Sequence, residues 1–313
     1  MNHLLARKKS SSSFRGKQSE AGSAAPSSTT PSNQKPREAK SAPYTHPSYT
    51  TLLATKGSFL DESDLGITGA SKNICRILLE KEQTVSQDSL FRDDVFNKAC
   101  RKIQDRNEVR VVQDITRLIV PSAETLATYS TTYLDPLIES INKGWNSVIP
   151  FYSPRPQPDY SVGFGRSAFT DDQLEKLRPF VSKTYEVKYS TAALDIADRQ
   201  NTHSIILAVR GIVELFRLMK REKELHREIL AFSVSYDHRT VRIYSHYPVI
   251  DRKKTTFYHH PIHKFSFTAL DSKEKWTVYK FTKNIYDIWM PIYLKRIYSV
   301  IDNLPPDLDF EIS

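Results

Sequence analysis

Three charged residues could together perform phosphodiester chemistry. Asp159 follows a proline, and Glu186 lies two residues before Lys188. Carboxylates and main-chain carbonyls are oxygen ligands of the kind that Mg²⁺ prefers, and a nearby lysine stabilises the charge that develops on phosphorus. We therefore expect Asp159, Glu186 and the Val187 carbonyl to bind Mg²⁺ or Mn²⁺, and Lys188 to assist the attacking water.

The spacing of Glu186 and Lys188 is informative only in its context. An acidic residue two positions before a lysine occurs four times in the chain, at 38–40, 186–188, 251–253 and 271–273. The first lies in a segment of low hydrophobicity, and the last two lie in predicted turns. Side chains two apart on a strand share a face, so we expect Glu186 and Lys188 to point the same way. The alternative is an ordinary ion pair on a surface strand.

The elements that must position these residues alternate between strands and helices. Apolar periodicity and β-branched or aromatic content predict strands over 148–152, 159–164, 184–189, 228–236, 240–247 and 255–267. Helices are predicted over 122–145, 173–180, 194–221 and 273–301, the last broken by Pro291. Asp135 and Pro136 resemble a cap and first turn, so a new helix would begin there. This order predicts an α/β (α+β) fold, in which a mixed central sheet is flanked by helices.

Composition divides the chain into three parts. Residues 1–58 are rich in Ser, Pro, Lys and Arg, which is typical of a disordered basic tail. Residues 59–135 predict a helical N-terminal extension. Residues 136–313 contain the strands and the long helix, and we expect them to form the α/β domain.

The Pro158-Asp159 pair and the Glu186-x-Lys188 strand resemble the motif of the PD-(D/E)XK nuclease superfamily. More narrowly, residues 145–310 resemble an uncharacterised fungal domain family of that fold, through the segments 154–163, 193–201, 220–228 and 284–289. The resemblance implies a restriction-endonuclease-like core and metal-dependent cleavage of nucleic acid by Asp159, Glu186 and Lys188.

The same resemblance gives two further residues a role. It implies that Gln200, at the start of the long helix, holds the metal-bound water or the substrate backbone. It also implies that Glu139, on a helix before the first core strand, supplies an extra acid. The alternative for both residues is a solvated position on a helix face.

One departure from the family concerns the strand before Glu186. Members of this fold usually run a full strand there, which forms a hairpin with the acid-x-lysine strand. In this chain, residues 181–185 alone separate the preceding helix from Glu186. A missing strand would expose an edge of the sheet and loosen the register of Glu186, so the departure predicts a weakened or absent activity.

The formal net charge of +9 is concentrated in two regions. Residues 1–43 contain eight Lys/Arg and two acids, and residues 245–300 contain ten Lys/Arg and four acids. Basic segments suit a polyanionic partner such as nucleic acid, and the alternative is a contribution to solubility alone. The cluster Arg7-Lys8-Lys9 loosely resembles a nuclear import signal.

Cysteine content and hydropathy exclude other classes of protein. Two cysteines cannot form a disulfide framework or a four-cysteine zinc site. The longest purely apolar run is too short to span a bilayer, and the first residues lack the apolar region of a secretory signal. We therefore expect an intracellular protein, with the nucleus as a further expectation, and neither a membrane nor a disulfide-linked partner.

Histidines and aromatic residues crowd the C-terminal third. Two of the four histidines between 246 and 263 are adjacent, so they would face opposite sides of a strand. We therefore expect surface histidines rather than a transition-metal site. The aromatic residues alternate with basic residues such as Arg239 and Arg242, which predicts either a base-stacking, phosphate-binding surface or a half-buried sheet.

Three functional hypotheses follow. The first is a Mg²⁺-dependent nuclease-like protein that hydrolyses DNA or RNA. The second is a catalytically inactive nuclease-fold protein that binds nucleic acid or a protein partner. The third is a scaffold in which the motif is incidental. Only nine glycines are present, which argues against cofactor folds built on glycine-rich loops.

Overall fold

The computed structural model of the chain describes residues 43–86, 89–103, 115–129, 131–144, 155–178, 194–252 and 254–305, together with the backbone of 186–190. The helices within these residues are Ser48–Thr55 (α1), Gly69–Glu80 (α2), Asp93–Ile103 (α3), Ala123–Tyr129 (α4), Asp171–Leu177 (α5), Leu194–Leu218 (α6), Thr277–Asn284 (α7) and Met290–Ile301 (α8). A π-helical turn, Ile285–Trp289, joins α7 to α8. The strand predicted over 148–152 lies outside the described residues.

Strands in the described part of the chain form one mixed sheet. They are Leu137–Ile141 (β1), Tyr160–Phe164 (β2), Glu186–Ser190 (β3), Ala231–Tyr236 (β4), Thr240–Asp251 (β5) and Lys254–Ser266 (β6). Neighbours in the sheet follow chain order, and only β3 and β4 are parallel. The expected fold class, a mixed central sheet flanked by helices, is confirmed.

The long helix α6 makes the parallel pairing of β3 and β4 possible. Parallel strands need a crossover of a dozen or more residues, and α6 supplies 25. Its apolar residues recur at helical spacing and are buried, as Ile205, Ile212 and Phe216 illustrate. Because β3 lies between β2 and β4, the edge that we expected to be exposed beside Glu186 is covered by β2 and β1.

The helix predicted from Pro136 onward is wrong, because residues 137–141 form strand β1. Ile138 is opposite Gly163 in the antiparallel pairing with β2. A methyl group added at Gly165 would lie 2.5 Å from Ile138 Cγ2, so a glycine is required where β2 leaves β1. The Gly165 N–H also donates to the Pro136 carbonyl over 2.8 Å. Long-range pairing with a glycine-containing strand therefore outweighs the local cap signal.

The two faces of the sheet carry different helices. α6 packs against β3, β4 and β5 on one face. On the other face, Phe232 of β4 meets Phe281 of α7 at 5.7 Å and Trp289 of the π turn at 5.0 Å between ring centroids. The backbone stays helical from α7 through the π turn into α8, so the break predicted at Pro291 is wrong, and the proline lies directly after the π turn.

The predicted boundary of the tail at residue 58 is too late. Tyr44, together with Tyr49 and Leu53 of α1, forms a buried apolar cluster against α6. The hydroxyls of the two tyrosines lie 2.9 and 3.1 Å from Nδ1 of His203. Three apolar residues in a Ser/Thr-rich window do not change its average composition, but they are enough to anchor a helix of eight residues.

The predicted N-terminal extension shares its core with the sheet. Ile67, Leu78, Phe91 and Phe96 belong to the same buried cluster as the apolar residues of β4 and β5. Residues 59–135 therefore contribute directly to the body that positions the candidate site. Cys75 and Cys100 are both free thiols. None of the helices that the structure describes is long and apolar enough to cross a membrane.

Candidate functional site

The register of β2 and β3 determines where the predicted site residues lie. Lys188 is opposite Ser161, and Glu186 is opposite Gly163. Directly opposite positions on antiparallel strands share a face of the sheet, so positions 161, 163, 186 and 188 belong to one face. Val187 pairs with Val162 and belongs to the other face. The predicted common face for positions 186 and 188 agrees with this pairing.

Asp159 lies one residue before β2, where its carbonyl accepts a hydrogen bond from the Asn142 N–H over 3.0 Å. Continuing the register by one residue places Asp159 opposite Ser190 of β3. Positions 159 and 163 differ by four residues, or about 13 Å along a strand. The partner of Glu186 is Gly163, so this register brings Asp159 closer to position 188 than to position 186.

The oxygen ligands that the sequence predicts are of the type that Mg²⁺ prefers, but the register of β2 and β3 separates Asp159 from Glu186 along the strands. Mg²⁺ binds oxygen ligands at about 2.1 Å, so a backbone offset of about 13 Å is at the limit of what two carboxylates can span around one ion. The described residues contain no group of three or more His, Cys, Asp or Glu that could hold a metal ion. The convergence of the Asp159 and Glu186 carboxylates therefore stays a prediction, and this register offsets their backbone positions by four residues.

Gln200 lies on the helix that covers this face of the sheet. It is half-buried in α6, and its carbonyl accepts a hydrogen bond from Ser204 Oγ over 2.9 Å. The next residue, Asn201, is buried and donates to Ser235 Oγ of β4 over 3.0 Å. α6 is thus held against the sheet beside Gln200, on the face that carries positions 186 and 188.

Glu139 belongs to a different part of the structure from the one we expected. It lies on β1 opposite Val162, and hence on the face away from position 188. Its carboxylate accepts hydrogen bonds from Arg117 Nη1 over 2.8 Å and from Ser122 Oγ over 2.6 Å. Burial acts to raise the pKa of Glu139, but the hydrogen bonds from Ser122 and Arg117 outweigh it and lower that pKa. Glu139 therefore ties β1 to the residues before it.

A set of polar residues that the sequence pattern did not predict lies between α6 and the sheet, and we name it the polar seam. It comprises Asp195 and Asp198 of α6, Ser233 and Ser235 of β4, Arg242, Tyr244 and His246 of β5, and His259 of β6. Ser233 is opposite Lys188 in the parallel pairing, and Ser235 is opposite Ser190. The polar seam therefore continues, strand by strand, the face that carries the candidate site.

An ion-pair network forms the first half of the polar seam. Arg242 Nη1 donates to Asp195 Oδ1 over 2.9 Å and to Asp198 Oδ2 over 2.6 Å. Asp198 is buried, and its second oxygen, Oδ1, has no hydrogen-bond partner in the part of the chain described. Burial and the nearby Asp198 carboxylate raise the pKa of Tyr244 to about 12. Tyr244 therefore remains a neutral hydrogen-bond donor at physiological pH.

Two histidines form the second half, and the expectation that they lie on the surface is wrong. His246 is 1% exposed, and its Nε2 lies 2.8 Å from Ser233 Oγ. His259 is 8% exposed and stacks on the Tyr244 ring with centroids 4.4 Å apart. Burial lowers the pKa of both imidazoles, and each also responds to neighbouring charge. Polar residues at helical spacing in α6, opposite alternate serines in β4, are the sequence signal for this interface.

Comparison with known proteins identifies a family for most of this fold. Residues 95–301 match a family described as a domain of unknown function, DUF7924. No curated protein matches the chain. No solved structure matches it either. The matched segment contains the whole sheet, the polar seam and the predicted site residues, so the chain belongs to the DUF7924 family.

Proposed function

We propose that this chain is a nuclease-like protein that hydrolyses phosphodiester bonds of DNA or RNA in the presence of Mg²⁺ or Mn²⁺. The supporting observation is the setting of the acid-x-lysine strand. β3 is antiparallel to the strand that follows Asp159, and it leads through α6 into the parallel strand β4. The resemblance to PD-(D/E)XK nucleases implies a mixed core of this kind, and residues 181–185, where the additional strand of that family was expected, lie outside the described residues.

Each predicted residue has a distinct role in this proposal. Asp159, Glu186 and the Val187 carbonyl are the oxygen ligands, and Lys188 stabilises the charge that develops on the phosphate. Gln200 orients the attacking water from α6. A bound divalent ion supplies polarisation of the phosphate and a lowered pKa for water. An intracellular, nuclear location is part of the proposal and is supported by the basic cluster at residues 7–9.

A second candidate function is binding of nucleic acid without cleavage. The observation that favours it is the four-residue offset between Asp159 and the partner of Glu186. In that register the two carboxylates do not readily share an ion, whereas a basic surface still attracts a polyanion. The two candidate functions therefore differ in whether the protein cleaves nucleic acid when a divalent metal ion is added.

Cleavage of single- and double-stranded DNA and RNA with Mg²⁺ or Mn²⁺ tests the proposal. We expect Lys188→Ala to lower the rate about a hundredfold, because a charge-stabilising group is lost. The matched control is Lys72→Ala, which removes an exposed lysine of α2 far along the chain and should leave the rate unchanged.

The other outcomes are equally informative. Equal rates for the wild type and Lys188→Ala would rule out the proposed site. Salt-dependent binding without cleavage supports the second candidate, because phosphate contacts release counterions. Absence of both cleavage and a salt-dependent affinity contradicts both candidates.

A further inference from the structure

A cleft of about 420 Å³ opens between α3 and the turn that joins β4 to β5. The described residues that line it, which we name the basic cleft, are Asn97, Cys100, Arg101, His238, Arg239 and Thr268. The volume falls in the range of about 300–1,000 Å³ that is typical of ligand sites. The lining is mostly polar, unlike that of a buried packing defect.

Two arginines give the basic cleft its charge. Neither Arg101 nor Arg239 forms an ion pair with any residue that the structure describes. Within the described ranges, Arg101 Nε donates to the Asn97 carbonyl over 3.3 Å. The acid nearest to Arg239 along the chain, Asp237, accepts hydrogen bonds from the N–H groups of Arg239 and Thr240 over 2.7 Å. The arginines therefore present positive charge to the cleft.

Both arginines stand on anchored backbone. The Arg239 carbonyl accepts the Phe267 N–H over 3.0 Å, and Phe267 is fully buried. On the other wall, Phe96 of α3 packs against Phe267 with ring centroids 6.3 Å apart. One buried aromatic residue thus connects the two walls that carry the guanidinium groups. The backbone that carries both arginines is therefore fixed before a ligand binds, which lowers the cost of ordering it.

The chemistry of the cleft selects a phosphate group. A guanidinium offers two parallel N–H donors that match phosphate oxygens, and an imidazole and a hydroxyl add further donors. We propose that the basic cleft binds a backbone phosphate of a nucleic-acid strand. Arg101 and Arg239 form the ionic contacts, and His238 and Thr268 lie beside them. The site is additional to Asp159, Glu186, Lys188 and Gln200.

The position of the basic cleft suits a polymer rather than a single nucleotide. Ser235, near the end of β4, pairs with Ser190 at the end of β3, and the cleft residue His238 follows three positions later. Asp159 is at this same end of the sheet. A nucleic-acid strand bound at this end of the sheet can therefore extend from the candidate site to the basic cleft. The polymeric identity of the ligand rests on the proposed function, whereas the phosphate chemistry does not.

Fluorescence anisotropy with a labelled single-stranded oligonucleotide tests the proposal in the full chain. Binding is measured in EDTA, so that cleavage plays no part. We expect the double variant Arg101→Gln, Arg239→Gln to bind about tenfold more weakly, since two charged hydrogen-bonding groups are lost. The slope of log affinity against log salt should fall by about 0.7, the value for one lost phosphate contact on a single strand.

The matched controls separate the cleft from net charge and from folding. Arg76→Gln removes an exposed arginine of α2 that lies outside the cleft, and it should leave the salt slope unchanged. Replacing both cleft arginines by lysine keeps the charge and should keep most of the slope. If the double glutamine variant behaves like Arg76→Gln, the proposal is overturned.

The thiol of Cys100 gives a second readout inside the cleft. Cys100 is half-buried in the lining, whereas Cys75 is buried in the core and serves as the internal reference. We expect bound oligonucleotide to slow alkylation of Cys100 several-fold in the wild type and not in the double glutamine variant. If inorganic phosphate or a mononucleotide at the same concentration protects Cys100 equally well, the ligand of the cleft is a small molecule and the proposal is overturned. Binding in EDTA reports on the cleft, whereas metal-dependent cleavage reports on the site at Asp159, Glu186 and Lys188, so failure of the cleavage site and failure of the cleft are distinguishable.

Discussion

Arg242 of β5 donates to the buried carboxylate of Asp198 in α6 over 2.6 Å. The pair joins the first turns of the long helix to the centre of the sheet. Both side chains are largely removed from water, with 18% and 8% of their surface exposed. Charges in such a place are tolerated because each has a partner, so the loss of either partner has a large effect.

We expect Asp198→Asn to lower the free energy of unfolding by about 2 kcal/mol, because Arg242 keeps its burial but loses a buried counter-charge. Asp195→Asn is the matched control. Its carboxylate contacts the same guanidinium but is 76% exposed, so we expect a change below about 1 kcal/mol. Urea denaturation measures both, and equal effects would contradict a special role for the buried pair.

Stability should fall as the pH is lowered toward mildly acidic values. Burial lowers the pKa of His246 and of His259, so each binds its proton more weakly in the folded chain than at the ordinary value of 6.5. Below that value the unfolded chain takes up more protons, and the free energy of unfolding decreases. Asp198 and Asp61 oppose the shift at His259, which makes His246 the stronger contributor.

Denaturant unfolding at about pH 7 and about pH 5.5 measures this effect, on either side of the ordinary histidine pKa. We expect the difference between the two free energies to shrink in His246→Gln. His238→Gln, which changes a more accessible histidine of the β4–β5 turn, should retain the full difference. An unchanged pH dependence in His246→Gln would assign the effect to other groups.

Replacement of Glu139 separates structural acids from catalytic ones. We expect Glu139→Gln to lower the free energy of unfolding by about 1–2 kcal/mol, because charged hydrogen bonds with Arg117 and Ser122 are weakened. Any cleavage of nucleic acid should continue at the wild-type rate once the protein is folded. A selective loss of cleavage at unchanged stability would return Glu139 to the site.

The segment that contains α1 should contribute to stability through Tyr44, Tyr49 and Leu53. We expect a chain that begins at residue 59 to be less stable than one that begins at residue 42 by about 2 kcal/mol, which is the apolar burial less the cost of ordering the segment. Thermal unfolding of the two proteins makes the comparison. Identical midpoints would mean that the cluster against α6 is energetically neutral.

Local pattern was sufficient for the elements whose burial is regular. α6 was predicted over 194–221 and spans Leu194–Leu218, because apolar residues recur on it at helical spacing over many turns. β2, β4 and β5 were predicted from their β-branched and aromatic residues. Thr170 forms the capping box that starts α5, and this signal is contained within four residues.

Local pattern failed where a distant residue decides the structure. The five residues of β1 contain too little periodicity to distinguish a strand from a helix, and the preceding Asp135-Pro136 favours a helix. The strand exists because β2 offers Gly163 and Gly165 beside Ile138. No window of sequence around residue 138 contains those glycines.

The polar seam was missed for a related reason. Arg242 and the histidines of β5 and β6 look like surface residues, because charged and titratable side chains are seldom buried. The partners of Arg242 lie more than forty positions away in α6, and His246 and His259 contact Ser233 of β4 and Tyr244 of β5. The motif at 159, 186 and 188 was visible because a family resemblance carried it, but the relative register of β2 and β3 was not.

A helix that packs on a sheet through apolar contacts alone can rotate about its axis at little cost in free energy, since one methyl group substitutes for another. α6 has no such freedom near its beginning, where Asn201 and Asp198 reach specific atoms of β4 and β5. Any rotation of α6 would leave the Arg242 guanidinium or the Asn201 amide without its hydrogen-bond partner. The polar seam thus fixes the rotation of α6 about its own axis, and with it the direction in which Gln200 faces the strand that carries Lys188.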